Sequence, residues 1–253
     1  MTSRRTFLES GFSALLTIGL IDTLLAAEVV PPKVAPILAA WLRQLHVHSA
    51  DLRGGAIPAT VWQREIDALL ERVPLEDLLR LIDFEHLVQR VELPDDRATT
   101  RDPAFPPLDG VPDPATHIRR VFLLAKDRAV VPHGHKNMAS GHLVIHGSFR
   151  VRHYERLRDE PQHLLLKPTI DTESRPGSAT TVSDHKDNVH WLVATSEIAA
   201  TFDVIVTDLD PAQPTRFMDF VDPRRAERLP DGTLRAPRLD GDEVFKRYGK
   251  TGV

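Results

Sequence analysis

The chain contains no cysteine. Disulfide staples, thiolate metal ligands and a cysteine nucleophile are therefore excluded, and a soft-metal site would have to use histidine, carboxylate or water. A basic block is also missing. The 32 Lys and Arg are mixed with 36 Asp and Glu, for a formal charge of −4. Nucleic-acid binding needs clustered positive charge, so a small molecule, not nucleic acid, is the expected partner. There is no internal repeat. The apolar stretch near the N-terminus carries Asp22, a charge too costly for a permanent membrane span. What is present is 42% apolar residues over 253 positions. That suffices for the core of one sizeable domain with an appendage, or of two small domains.

Residues 1–27 read as an address. Ser3-Arg4-Arg5-Thr6-Phe7-Leu8 is followed by a moderately apolar stretch and by small residues at Ala26 and Ala27. This is the layout of a signal peptide, and the arginine pair with Phe-Leu resembles the twin-arginine export consensus. The expectation is export to the periplasm, or another extracytoplasmic site, by the twin-arginine machinery. Cleavage near Ala27 and retention as an N-terminal anchor both stay open. That route carries proteins already folded, often with a cofactor inserted, which suits a metalloprotein.

Residues 31–95 carry apolar residues at helical spacing, with Val61, Ile66, Leu69 and Leu70 on one stripe and Pro74 suited to the first turn of a further helix. His46, His48 and His86 read as surface or loop residues there. Residues 96–116, rich in Pro and Asp, read as an irregular connector. From 117 to 209 the pattern changes to short β-rich runs separated by turn residues, the signature of a sandwich or barrel that includes the double-sheet jelly roll. Residues 210–253 read as a polar, proline-rich extension that wraps the surface or stays partly mobile.

Five of the twelve histidines fall between Val130 and Arg156. His133 and His135 are two apart in a strand-like run, so both project from the same face and can share one ion. Ser140, His142, Val144 and His146 would share a face if the next strand is regular. His190 opens a later strand and can complete a set of three, with His185 in a polar loop as the competing third ligand. Three neutral imidazoles suit Fe(II), Zn, Mn, Ni or Cu and leave coordination positions open for substrate.

These residues resemble the cupin superfamily. Its first motif, G-x5-H-x-H-x3-4-E-x6-G, is followed by His133, His135 and Gly147, with Asp127 in place of the leading glycine and Ser140 in place of the glutamate. His190 matches the histidine of the second motif, although Ala194 stands where an asparagine is usual. The resemblance covers roughly residues 118–209. It implies a mainly β fold, a double-stranded β-helix (jelly-roll barrel) preceded by the helical region. It also implies His133, His135 and His190 as metal ligands. The missing glutamate makes the site similar to three-histidine cupins, of which the thiol dioxygenases are the best-known iron enzymes. Their Ser-His-Tyr set is absent, so cysteine is not carried over as substrate.

Other candidates surround that set. His142 could act as a fourth ligand or as an acid or base, and Asp203 could orient a ligand histidine. Arg150 and Arg152 share a face and could clamp a substrate carboxylate. His146 reads as a core residue or one supporting the ligands, His153 and His163 as surface, and Trp191 as core on the face opposite His190. The expected function is a mononuclear non-haem enzyme, most simply an Fe(II) dioxygenase of a small organic molecule. A non-catalytic metal- or ligand-binding cupin, or an exported protein that docks a partner through its helices, is the alternative. Exposed barrel edges leave a homodimer open.

Overall fold

The computed structural model describes residues 35–89, 91–112 and 116–250. The leader expected over 1–27 lies outside the described residues. Four helices come first: α1 (Ala35–Arg53), α2 (Ala59–Glu71), α3 (Leu75–Leu81) and α4 (Phe84–Gln89). Among the described residues, no helix is long and apolar enough to cross a membrane.

The strands follow: β1 (Thr99–Arg101), β2 (Ile118–Ala125), β3 (Ala129–Lys136), β4 (Met138–His146), β5 (Phe149–Asp159), β6 (His163–Ser174), β7 (Ala179–Ser183), β8 (Val189–Ala194) and β9 (Ile198–Thr207). Within one sheet the order runs β2-β9-β4-β7, and within the other β3-β8-β5-β6. Counting from β2 to β9 as first to eighth, one sheet holds the first, eighth, third and sixth strands, and the other the second, seventh, fourth and fifth. That interleaving is the double-sheet jelly roll. The β2–β3 turn places Asp127 at φ +61°, a left-handed conformation that Asp tolerates better than most residues. This is the position where the cupin motif has glycine. The β4–β5 turn keeps its glycine: Gly147 has φ +65°, and a Cβ there would collide with the Ile198 carbonyl.

Both sheets bury their inner faces, and much of each outer face is covered as well, although β5 and β6 leave an exposed stretch. Inside, one end of the barrel is filled by Leu124, Val144, Phe149, Val151, Leu192 and Ala194. Outside the first sheet, Trp62, Ile66 and Leu70 of α2 pack with Ala139, Phe202 and Val204. Because the strands are buried on both sides, β8 is buried at all six positions and reads as a continuous apolar run, not an alternating one.

The cover on the second sheet corrects an expectation. The segment 210–250 does not simply wrap the surface. Its β10 (Arg216–Phe220) pairs with β3, and β12 (Leu234–Pro237) pairs with β6 on one side and with β11 (Glu227–Arg228) on the other. Val244, at the end of the short helix α5 (Gly241–Val244), and Tyr248 pack against Val131, Trp191 and Val193. Asp222, 1% exposed, accepts from the Tyr248 hydroxyl, the Arg225 backbone N–H and the Arg247 guanidinium, and so fastens the end of the chain. Within the connector, Thr99–Arg101 forms the edge strand β1 against β2.

Phe202 is fully buried, with Trp41 and Phe105 rings 6.2 and 6.1 Å from its own. Phe202→Ala is expected to lower unfolding free energy by about 3–5 kcal/mol. Chemical denaturation measures it, and a loss below about 1 kcal/mol would contradict the packing described.

Candidate metal centre

The site is built on one level of the barrel. On β3, Val130 and His133 both line the interior cavity although they are three positions apart. Regular alternation would put them on opposite faces. The β3–β8 register shifts between Val130 and His133, so the strand takes up one extra residue around Pro132. A bulge of this kind re-aims a side chain, and it is one of the few places a sheet accepts proline. His135 then follows on the same face. The glycine between the two histidines faces the other way into a tight space, where a Cβ at Gly134 would lie 2.6 Å from Asn188 Oδ1. Asn188 is buried and donates from Nδ2 to the carbonyls of His135 (3.0 Å) and Ser183 (3.1 Å), tying the strand down behind the ligands.

Two cross-strand rows meet at this level. In one sheet, His133, His190 and His153 are direct partners across β3, β8 and β5. In the other, Arg120, Asp203 and His142 are direct partners across β2, β9 and β4. The rows face each other, with the His142 and His190 rings 5.0 Å apart. His133, His135 and His190 are buried, and one nitrogen from each lies within 4.8 Å of the others. Side-chain rotation can close that spacing onto one ion, whose bonds to imidazole nitrogen run about 2.0–2.1 Å.

The chemistry of the three rings fits a metal. His133 Nδ1 lies 2.7 Å from the Val131 carbonyl, so Nδ1–H donates there and Nε2 carries the lone pair. Burial pushes the His133 pKa down to about 4 and that of His190 well below its ordinary value. Both rings are therefore neutral near pH 7, the form that ligates. His190 Nδ1 is buried without a hydrogen-bond partner, a costly state for a polar atom unless something is bound nearby.

His142 stands across from the three. Its Nδ1 is 2.8 Å from Asp203 Oδ2, and its Nε2 is buried without a partner. Asp203 thus orients His142. Ser140 is buried beside the histidines where the cupin motif has glutamate, and it offers a hydroxyl but no carboxylate. A cavity of about 290 Å3 lies over the rings, walled by Ile118, Phe122, Val130, Met138, Leu192 and Ile205.

Several expectations need correction. Arg150 and Arg152 do not reach the cavity. They alternate with the buried Phe149, Val151 and His153, so they leave β5 from its outer face. There Arg150 Nε is 2.5 Å from Asp171 Oδ1, Arg152 Nε is 3.3 Å from the same oxygen, and Arg152 also covers the Trp191 ring. His185 is exposed and is not a third ligand. His146 is exposed and packs beside Phe84, because the β4–β9 register shifts after Val144. His153, expected at the surface, is fully buried 6.0 Å from the His190 ring. The alternation Phe149-Val151-His153 carried that signal, and Ile118-Arg120-Phe122 likewise carried the inward position of Arg120.

No family model matches the chain, and no curated protein matches it. Solved structures do. A cupin superfamily protein of Desulfitobacterium hafniense is 11% identical over 48% of this chain and 88% of its own, with a TM-score of 0.32. KdgF of a Halomonas species is 15% identical over 46% of this chain and 85% of its own, with a TM-score of 0.32. An 11S globulin of Wrightia tinctoria is 17% identical over 36% of this chain, with a TM-score of 0.30, and the match spans 21% of the globulin.

The titration of these rings gives a signed prediction. An unfolded histidine has its ordinary pKa of 6.5, whereas burial holds His133 at about 4 and His153 at about 3. Below pH 6.5 the unfolded chain therefore binds more protons than the folded one, and stability falls as the pH drops. The thermal midpoint of metal-free protein is expected to be flat above about pH 7 and to decline steadily from there toward pH 4. A midpoint independent of pH across that window would contradict the burial of neutral rings.

Proposed function

We propose that the protein is a mononuclear metal-dependent enzyme of the cupin type, an Fe(II) dioxygenase acting on a small organic substrate. The observation that carries this reading is a buried group of three histidines with no carboxylate among them, set under a mostly apolar cavity. Three protein ligands leave coordination positions free, which is the arrangement of catalytic metal sites and not of structural ones. Zinc, manganese, nickel and copper share the same ligand preference.

Iron(II), when held there, supplies the chemistry with dioxygen that amino-acid side chains lack. The rest falls to the chain itself. His133, His135 and His190 hold the ion, and the Val131 carbonyl fixes the His133 ring in its ligating tautomer. The apolar wall orients the substrate body and keeps bulk water from the reacting centre. His142 faces the histidines and takes the proton that the substrate's donor group gives up. Asp203 holds the His142 ring by Nδ1, so that Nε2 is the atom that exchanges the proton. The same proposal places the enzyme outside the cytoplasm, delivered by the twin-arginine machinery, on the strength of Ser3-Arg4-Arg5-Thr6-Phe7-Leu8.

A binding module with the same three ligands would hold metal but consume no oxygen. Oxygen uptake by iron-loaded protein against a panel of thiols, diketones and phenols separates the two. The enzyme reading expects uptake with at least one substrate. His142→Gln should then lower kcat by about 10²–10⁴, the usual contribution of a positioned proton acceptor, while leaving metal content at about one ion per chain. Absence of uptake across the panel with iron bound would favour the binding module.

A further inference from the structure

Arg120 is the one Lys or Arg among the described residues that line the cavity. It lies on the inner face of β2, directly opposite Asp203 of β9 in the strand register. Its guanidinium does not point an open fork at the cavity. Nε lies 2.7 Å from Asp102 Oδ1 and Nη2 3.1 Å from Asp102 Oδ2. This two-point pairing uses the geometry with which arginine would otherwise grip a ligand carboxylate. Asp102 follows directly after β1, whose Thr100 also lines the cavity. Arg120 therefore sits between two carboxylates, one bound to it and one opposite it in the register, and this side of the cavity offers no net positive charge.

We infer that Asp102 is a specificity-determining residue: by occupying Arg120 it fits the cavity to a compact ligand with an uncharged, apolar body and turns away ligands whose body carries a negative group. The inference rests on the cavity being the substrate site of the proposed function. Size points the same way. At about 290 Å3 the cavity sits at the small end of ligand pockets, which run about 300–1,000 Å3. Ile118, Phe122, Val130, Leu192 and Ile205 surround it with hydrocarbon, against which an unpaired charge is expensive to desolvate. One donor group at the histidine end meets the metal and His142, and the rest of the molecule meets apolar walls.

The test uses the full chain loaded with zinc(II), which is redox-inert, and two probes that differ only at the far end: 4-methylphenol and 4-hydroxybenzoate. Isothermal titration calorimetry on wild type is expected to show 4-methylphenol bound about tenfold more tightly or better. Asp102→Asn changes a side chain that is 62% exposed and so spares the core. It is expected to raise affinity for 4-hydroxybenzoate about tenfold, with little change for 4-methylphenol and with a gain that shrinks in salt. Adding Arg120→Gln to Asp102→Asn should abolish the gain. Equal or tighter binding of 4-hydroxybenzoate by wild type, an unchanged ratio in Asp102→Asn, or binding of neither probe overturns the inference. Zinc content is measured in parallel. A wild type that holds no zinc removes the proposed metal site, and the same probe ratio is then expected of the metal-free cavity.

Discussion

A neutral imidazole taken out of water needs a partner for each ring nitrogen, or it costs free energy on the order of a lost hydrogen bond per atom. The interior of this jelly roll holds five buried imidazole rings: His133, His135, His142, His153 and His190. His133 Nδ1 pairs with the Val131 carbonyl and His142 Nδ1 with Asp203, while His142 Nε2, His190 Nδ1 and both nitrogens of His153 are buried without a hydrogen-bond partner. Three of the rings, His133, His135 and His190, converge closely enough that one ion could be held by them together.

The barrel meets the demand by dividing its interior. One end is packed dry around Phe149 and Leu192, which anchors the strands that carry the rings. The bulge at Pro132 turns His133 inward, and Asn188 holds the His135 carbonyl from behind. Helices cover one sheet, and the C-terminal strands with Tyr248 cover the other. The strands that carry His133, His135, His142 and His190 are largely buried, so a slip of one residue, which would turn every ring away from the centre, is strongly opposed. The polar row Arg120–Asp203–His142 stands opposite, with its charges already engaged by Asp102 and by one another.

Much of this was legible in the residues themselves. His-x-His in a strand fixes a shared face, and the spacing to Gly147 carried both the turn and the resemblance that led to the jelly roll. Alternation in Phe149-Arg150-Val151-Arg152-His153 also held the answer that Arg150 and Arg152 face out and His153 faces in. It was obscured because arginine pairs and histidine are commoner at surfaces. His146 was misplaced by a register shift in β4 that no local pattern announces. The C-terminal segment looked like a polar wrapping because its buried residues, Val221, Leu234, Ala236 and Tyr248, are scattered among charges. Their role comes from long-range pairing with β3 and β6. Asp102 lay in a connector whose composition spoke only of turns, and its pairing with Arg120 is likewise a contact between segments.

The convergence of three imidazoles on one ion is tested most directly by X-ray absorption at the metal edge of protein purified with its native metal. The expected spectrum has three imidazole nitrogens at about 2.0–2.1 Å, with the multiple-scattering features of intact rings. A spectrum fitted by oxygen ligands alone, or by a single imidazole, would contradict it.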